Sequence, residues 1–240
     1  MYSQNSALKK FSLLVPTRKR AKHLKELLHS ICDNCSNPED VEILICMDRD
    51  EKFIKGLEHY KIQPLIFFQD QKESVTEYYN FLFSKSRGKV IWPLHDDCKV
   101  MTPEWDTIAS KNIEGKWDNI WLGDVVDLVV EIDRYRCTQD NFGGRISGMP
   151  MISRKAVETL GTVFPKEFKH WGGTNVLNKI HQFAGTIIPI DVCVIHDPVK
   201  DETYDKIRKW WVQDTGGKVT MHDLKSRVEK IISASSHNVQ

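Results

Sequence analysis

Long apolar runs are missing from this sequence of 240 residues. No run approaches the ~20 residues that a membrane-spanning helix needs, and residues 1–10 lack the continuous apolar core of a signal peptide. We therefore expect a cytoplasmic protein without a transmembrane segment, with attachment to the periphery of a membrane as the alternative. An excess of one charge sign is also missing, because the net charge is +1, so no overall attraction to nucleic acid is expected.

Glycine-rich loops that cradle phosphates are absent as well. Neither G-x-x-x-x-G-K-S/T nor G-x-G-x-x-G occurs, which argues against P-loop enzymes and dinucleotide dehydrogenases. Cysteines are few and scattered, and the C-x-x-C pair of Cys32 and Cys35 has no further zinc ligands at matching spacing. We expect these cysteines to be reduced thiols.

Short apolar segments alternate with segments of helical periodicity along the chain. Strands are predicted at residues 11–15, 41–47, 65–68 and 90–94, and helical spacing recurs at residues 24–31 and 75–82. Strands that alternate with helices build a parallel sheet. We predict an α/β fold with a central, mostly parallel, twisted sheet flanked by helices. Ser153 and Thr174 are the expected N-caps of two later helices.

Acidic residues follow two of the predicted strands at the point where each strand ends. Asp96 and Asp97 come directly after the strand at residues 90–94, and Asp48 follows the strand at residues 41–47. Adjacent carboxylates repel each other unless a cation shares their charge, and oxygen ligands suit Mg²⁺ or Mn²⁺. An acidic surface turn is the alternative. Asp48 is suited to accept hydrogen bonds from a base or a ribose.

A histidine ends a later predicted strand. Ile188, Ile190, Val192 and Val194 alternate as a half-buried strand that leads to His196. Strict alternation would continue His196 onto the buried face as a packed residue. At the carboxyl edge of the sheet, its neutral imidazole would instead bind a metal or a diphosphate.

The order of these segments resembles glycosyltransferases of family 2, which have the GT-A fold. The segments that carry the resemblance are 11–18, 41–48, 72–80, 88–97, 102–105, 148–154, 171–173 and 194–196. The resemblance implies a GT-A domain over residues 1–200, with a nucleotide-binding half at 11–100 and an acceptor half at 101–200. A helical C-terminal extension is expected over residues 201–240.

The resemblance also implies roles for individual residues. The expected nucleotide-binding residues are Pro16, Thr17, Arg18, Asp48, Lys72, Asn80 and Asp96. The expected acceptor residues are Trp171, Gly172 and Gly173, and the expected metal ligands are Asp97 and His196. Lys72 and Arg154 are further candidates to contact the diphosphate.

Two positions depart from the family's pattern. His95 stands where the D-x-D-type motif has its first acid, and Thr174-Asn175 stands where the family often has an acidic pair. Neither Thr nor Asn can act as a general base at neutral pH. The candidate catalytic bases are therefore Asp124, Asp127 and Glu167.

The function implied by the resemblance is transfer of a sugar from a nucleoside-diphosphate sugar to a hydroxyl of a glycan or other acceptor. Mn²⁺ or Mg²⁺ would assist departure of the diphosphate. The alternatives are a nucleotidyltransferase of similar architecture and a catalytically silent protein that binds nucleotide or glycan. Large apolar side chains at Tyr204, Ile207, Trp210 and Trp211 pack against the sheet or form a homo-oligomer contact through the C-terminal helices.

Overall fold

The fold was analysed in a computed structural model that describes residues 9–50, 54–131, 134–137, 148–168, 173–197 and 221–236. Its strands form one sheet of nine. They are β1 Phe11–Pro16, β2 Val41–Asp48, β3 Leu65–Gln69, β4 Val90–Pro93, β5 Cys98–Val100, β6 Leu122–Glu131, β7 Arg134–Cys137, β8 Met151–Ser153 and β9 Ile187–His196. The four strands predicted in the first half are therefore confirmed.

The two halves of the sheet differ in strand direction. The order is β3-β2-β1-β4-β8-β6-β9-β5, and β7 pairs with β6 outside this path. All pairings among β3, β2, β1 and β4 are parallel. The second half is mixed, because β8 runs antiparallel to β4 and β6, while β6 and β9 are parallel. The helices predicted at residues 24–31 and 75–82 lie between β1 and β2 and between β3 and β4, as crossovers of a parallel sheet do.

Helices cover both faces of the sheet, as predicted. They are α1 Ala21–Asp33, α2 Val75–Lys85, α3 Trp105–Asn112, α4 Arg154–Leu160, α5 Gly173–Ala184 and α6 Met221–Ser236. Buried side chains of α1 and α3 pack with one face of the sheet. Those of α2, α4, α5 and α6 pack with the other. Two apolar layers on one sheet are the expected solution for burying both of its faces.

The cap expected at Ser153 is confirmed, whereas the cap expected at Thr174 is wrong. The Ser153 side chain accepts a hydrogen bond from the N–H of Ala156. Thr174 lies inside the first turn of α5, which already begins at Gly173. Its hydroxyl instead donates to the carbonyl of Gly148 at 3.4 Å. A side chain within the helix can no longer cap the helix from outside.

The C-terminal helix α6 packs against α5 and α4. Ile231 is fully buried within this contact, while the adjacent Ile232 is 45% exposed. Tyr204, Ile207, Trp210 and Trp211 lie outside the described residues. No helix in the described part of the chain is long and apolar enough to cross a membrane. Cys32, Cys35, Cys46, Cys98 and Cys193 are free thiols.

A register shift interrupts the pairing of β6 with β9. Val125 pairs with Ile190, whereas the next residue of β6, Val126, pairs with Cys193. Asp191 and Val192 are therefore extra residues on the β9 side. Since two residues are inserted, side-chain alternation along β9 is preserved, and Ile190, Val192 and Val194 remain buried.

Candidate active site

The carboxyl ends of β1, β2 and β4 lie side by side because these strands are parallel neighbours. The first turn, after Pro16, is held to β2 by a hydrogen bond from the Thr17 N–H to the carbonyl of Cys46 at 2.9 Å. Lys19 takes a left-handed conformation with φ of 56°. This conformation is uncommon for a residue other than glycine. The next residue, Arg20, contacts the segment that follows β4.

Arg20 lies between the two acids that follow β4. Its Nη1 is 3.1 Å from Asp96 Oδ1 and 3.3 Å from Asp97 Oδ2. Asp96 Oδ2 accepts a hydrogen bond from the Thr17 hydroxyl at 2.7 Å. Both oxygens of Asp96 are thus bonded within the protein. Burial raises the pKa of Asp96 to about 6, against the opposing effects of Arg20 and Thr17 and together with the charge of Asp97.

Asp97 meets His196 because β5 and β9 are antiparallel neighbours, with Cys98 paired to His196. The His196 Nε2 is 3.2 Å from Asp97 Oδ1. The rings of His95 and His196 are edge to face, with centroids 5.0 Å apart. One ligand atom from each of His95, Asp97 and His196 lies within 4.8 Å of the others. Two imidazoles and one carboxylate therefore converge as a candidate metal centre.

The two histidines of this centre have pKa shifts of opposite sign. Burial, together with the charges of His196 and Arg20 and against that of Asp97, lowers the pKa of His95 to about 4. Burial also lowers the pKa of His196, but the hydrogen bond and charge of Asp97, with Asp127 and Asp96, outweigh it and raise the pKa. His95 is therefore a neutral ligand at neutral pH, whereas a cation that binds His196 must compete with a proton for the ring.

Asp48 forms a second polar cluster at the same edge of the sheet. It is 1% exposed. Its Oδ2 is 3.1 Å from Arg18 Nε, and its Oδ1 accepts a hydrogen bond from the Tyr78 hydroxyl. The same hydroxyl accepts a hydrogen bond from the Lys72 N–H at 2.9 Å. Tyr78 thereby joins the end of β2 to the loop before α2.

Residues 12–127 match the family model described as glycosyl transferase family 2. The matched segment begins in β1 and ends at Asp127, so it contains both polar clusters except His196. Residues 12–127 are thus similar to glycosyltransferase family 2, and the α/β sheet flanked by helices is of the GT-A type. No curated protein matches it by sequence.

Solved structures of glycosyltransferases share the fold of this family 2-like domain. The structure of S. aureus TarS residues 1–349 with UDP has a TM-score of 0.65 and 14% identity, and covers 93% of this chain and 70% of that chain. The same TarS segment with UDP-GlcNAc has a TM-score of 0.65 and 13% identity, covering 95% and 74%. GalNAc-T7 with UDP, GalNAc and Mn²⁺ has a TM-score of 0.62 and 15% identity, covering 82% and 45%.

The three candidate bases lie in different surroundings. Asp127 is 2% exposed, accepts a hydrogen bond from the Gly148 N–H at 3.1 Å, and lies close enough to His196 to raise its pKa. Asp124 lies on the opposite face of β6 by alternation. Glu167 forms an ion pair with Arg227 of α6. Among the three, Asp127 is the candidate placed beside the metal centre.

The side chains of two residues expected to contact the donor form hydrogen bonds to other parts of the protein. The side-chain oxygen of Asn80 accepts hydrogen bonds from the Val163 N–H at 2.8 Å and the Thr162 hydroxyl at 3.1 Å. Arg154 donates to the Gly88 carbonyl at 2.7 Å and the Ser86 hydroxyl at 2.8 Å. Ser86 and Gly88 precede β4, so Arg154 lies at the amino end of that strand. The expectation that Arg154 contacts the diphosphate is therefore wrong.

The expected acceptor segment is described in part. Trp171 and Gly172 lie outside the described residues. Gly173 is buried at the start of α5, where a Cβ would come within 3.3 Å of the Cβ of Phe164. The backbone of this position is therefore packed tightly against the segment before it.

Three residues of the two clusters were absent from the sequence-based site. Arg20 and Tyr78 were not singled out as site residues, and His95 was treated as a lost acid. Periodicity placed Tyr78 on a helix face with apolar residues, and no pattern indicates where its hydroxyl points. The signal that could have identified His95 is its spacing, because residues i and i+2 around a turn bring His95 and Asp97 to one centre.

Proposed function

We propose that this chain transfers a glycosyl group from a nucleoside-diphosphate sugar to a hydroxyl of a glycan or other acceptor, with a divalent cation assisting. The observation that carries the proposal is the placement of two clusters at one sheet edge. Asp48 with Tyr78 suits a nucleoside, and His95, Asp97 and His196 suit a cation that binds a diphosphate. Support comes from the same fold in TarS with UDP-GlcNAc and in GalNAc-T7 with UDP and Mn²⁺.

Donor binding would begin with Asp48. An ionised carboxylate can only accept hydrogen bonds, so its partner must be a ring N–H of the base or a ribose hydroxyl. Arg18, whose side chain is 38% exposed, is the nearby cation with access to solvent. Thr17 and Pro16 shape the turn beside it, and Lys72 lies in the loop that Tyr78 anchors.

The residues at the candidate metal centre fit a divalent cation. His95, Asp97 and His196 offer three donor atoms, and a cation between Asp97 Oδ1 and the His196 ring would take the place of the ring's proton. A cation bound there would stabilise the negative charge that develops on the departing diphosphate. Arg20 lies next to the same position and adds a positive charge that belongs to the protein itself. Mn²⁺ and Mg²⁺ are the ions the proposal names.

Asp127 is the proposed general base. In the transfer, the acceptor oxygen forms a bond to the anomeric carbon, the bond from that carbon to the diphosphate oxygen breaks, and the acceptor proton moves to the Asp127 carboxylate. Burial raises the pKa of Asp127, against the opposing charge of His196 and the hydrogen bond from Gly148. A raised pKa strengthens a carboxylate as a base near neutral pH.

The experiment measures binding and turnover separately in isosteric variants. We expect Asp97→Asn to lose Mn²⁺-dependent affinity for UDP by calorimetry, because the cation loses its carboxylate. Asp127→Asn should keep that affinity and lose UDP release from UDP-sugars in the presence of acceptor. Asp118→Asn, at a side chain that is 85% exposed, is the matched control. Unchanged Mn²⁺-dependent affinity in Asp97→Asn would contradict the metal assignment.

A catalytically silent binding protein is the competing function. Thr174 and Asn175 occupy the first turn of α5 without any acid, where the family often has its base. Nucleotide binding that depends on Asp97, with no turnover of any UDP-, GDP- or dTDP-sugar, would favour it. Release of pyrophosphate instead of a nucleoside diphosphate would indicate a nucleotidyltransferase.

The proposal also includes the cellular location and the oligomeric state of the enzyme. A cytoplasmic location, peripheral membrane attachment and a homo-oligomer formed through the C-terminal helices stay predictions. Ile232 of α6 is 45% exposed and is the position at which this contact can be tested. Light scattering of the full chain and of Ile232→Glu would test the oligomer, which should dissociate in the variant.

A further inference from the structure

The candidate metal centre is rich in nitrogen donors. Two of the three donors within 4.8 Å of one another are imidazoles, from His95 and His196, and one is the carboxylate of Asp97. From the sequence, Asp97 and His196 were the expected ligands, and His95 was taken for a lost acid. The structure changes the donor set and therefore changes which cations suit it.

The second acid is withheld from the centre by its own bonds. Asp96 Oδ2 is bonded to the Thr17 hydroxyl and Asp96 Oδ1 to Arg20. Asp96 is 4% exposed and is not one of the three residues whose ligand atoms lie within 4.8 Å of one another. Asp96 therefore contributes charge to the site but not a ligand.

Arg20 also limits what Asp97 can offer. Its Nη1 is 3.3 Å from Asp97 Oδ2, whereas Asp97 Oδ1 faces His196 at 3.2 Å. With Oδ2 held by Arg20, only Oδ1 is directed toward the two imidazoles. The protein thus provides one carboxylate oxygen and two ring nitrogens, and leaves the remaining coordination positions to phosphate oxygens or water.

This donor set discriminates between classes of cation. Mg²⁺ is a hard ion that prefers oxygen ligands in near-ideal octahedral geometry. Imidazole suits first-row transition ions, and two histidines with one carboxylate are a recurring ligand set for such ions. We propose that His95 is a specificity-determining residue that makes this centre selective for a first-row transition ion and disfavours Mg²⁺. The inference rests on the metal centre of the proposed function and deepens it.

The test uses the full chain and the metals alone, without nucleotide. We expect calorimetry to give affinities in the order Mg²⁺ below Mn²⁺ below Co²⁺, with Co²⁺ at least about tenfold tighter than Mg²⁺. Bound Co²⁺ should also show visible absorption bands altered by nitrogen ligation. His95→Asp restores the carboxylate-rich set, so the preference for Co²⁺ over Mg²⁺ should fall about tenfold or more. His59→Asp, at a side chain that is 79% exposed, is the matched control and should match the unmodified chain.

A second variant keeps the test decisive if the added acid prevents folding. His95→Asn removes the ring without adding charge, and its folding is checked by circular dichroism. We expect it to lose the nitrogen-dependent change in the Co²⁺ spectrum. Equal affinities for Mg²⁺ and Co²⁺ in the unmodified chain, or an unchanged preference in both His95 variants, would overturn the inference while leaving a metal-assisted transferase intact. Failure of every divalent cation to bind, with or without UDP, would instead remove the metal from the proposed function.

Discussion

Arg20 provides the sharpest test of how the acidic pair is stabilised. It is the cation within 3.3 Å of both Asp96 and Asp97, whose side chains are 6% and 5% exposed. Removing one partner of a buried ion pair costs about 3–5 kcal/mol, because a charge is left in a poorly solvated position. The Arg20 side chain is 16% exposed, so water relieves part of that penalty. We expect Arg20→Met to lose about 2–4 kcal/mol of unfolding free energy.

The loss should be visible in the melting temperature and should depend on pH. In a chain of this size, each kcal/mol lowers Tm by about 2–4 °C, so a fall of about 4–16 °C is expected. Burial already raises the pKa of Asp96 to about 6, so the folded state binds this proton more tightly than the unfolded state. Stability from this group therefore decreases as pH rises through about 4 to 6. Without Arg20 the pKa of Asp96 rises further. The loss of unfolding free energy in Arg20→Met should therefore be larger near pH 8 than near pH 5.

The assay is urea and thermal unfolding of the full chain at both pH values, with and without Mn²⁺. A cation bound at Asp97 would replace part of the missing charge and raise Tm of the variant. Arg49→Met is the matched control, because Arg49 and its partner Asp70 are 66% and 80% exposed. Exposed pairs contribute about 0–1 kcal/mol. Equal stability of the two variants near pH 8, or a deficit that does not change with pH, would refute the reasoning.

Three further predictions concern other parts of the site and fold. Tyr78→Phe removes a donor to Asp48 and should weaken UDP binding about tenfold or more by calorimetry, and unchanged affinity would show that the hydroxyl does not position Asp48. Gly88→Ala would place a Cβ 2.5 Å from Ser12 Oγ and should destabilise the fold by about 1–3 kcal/mol in urea unfolding; normal stability would contradict the close packing. Mn²⁺ affinity should fall as pH drops through the raised pKa of His196, and calorimetry at several pH values would show a flat profile if this ring is no ligand.

Strand ends could be predicted from the sequence, and with them most of the site. Apolar runs fix where parallel strands stop, and the topology brings those stops to one edge. Asp48, Asp97 and His196 were therefore expected at the carboxyl edge, which is where they lie. Short strands were not predicted, because three residues, as in β5 and β8, are too few for a periodic signal.

Side-chain direction was the part that periodicity could not provide. Arg20 reaches the acidic pair after a left-handed residue at Lys19, and a run of basic residues does not signal such a turn. Asn80 was expected to contact nucleotide but holds the backbone of Val163. A hydrogen bond between residues more than 80 positions apart depends on tertiary packing, which a local pattern does not contain.

The two-residue bulge in β9 determines where His196 lies along the strand. With Asp191 and Val192 left out of the pairing, His196 lies opposite Val129; if these two residues were paired in regular register with Val126 and Asp127, Val194 would take that place. At about 3.3 Å per residue, the histidine would be displaced by roughly 6–7 Å along the strand, out of range of Asp97. A single unpaired residue in place of two would turn its ring to the other side of the sheet. The number of unpaired residues in a bulge remote from the chemistry is therefore a design variable, and only even numbers of them would move this ligand along the strand without turning it away.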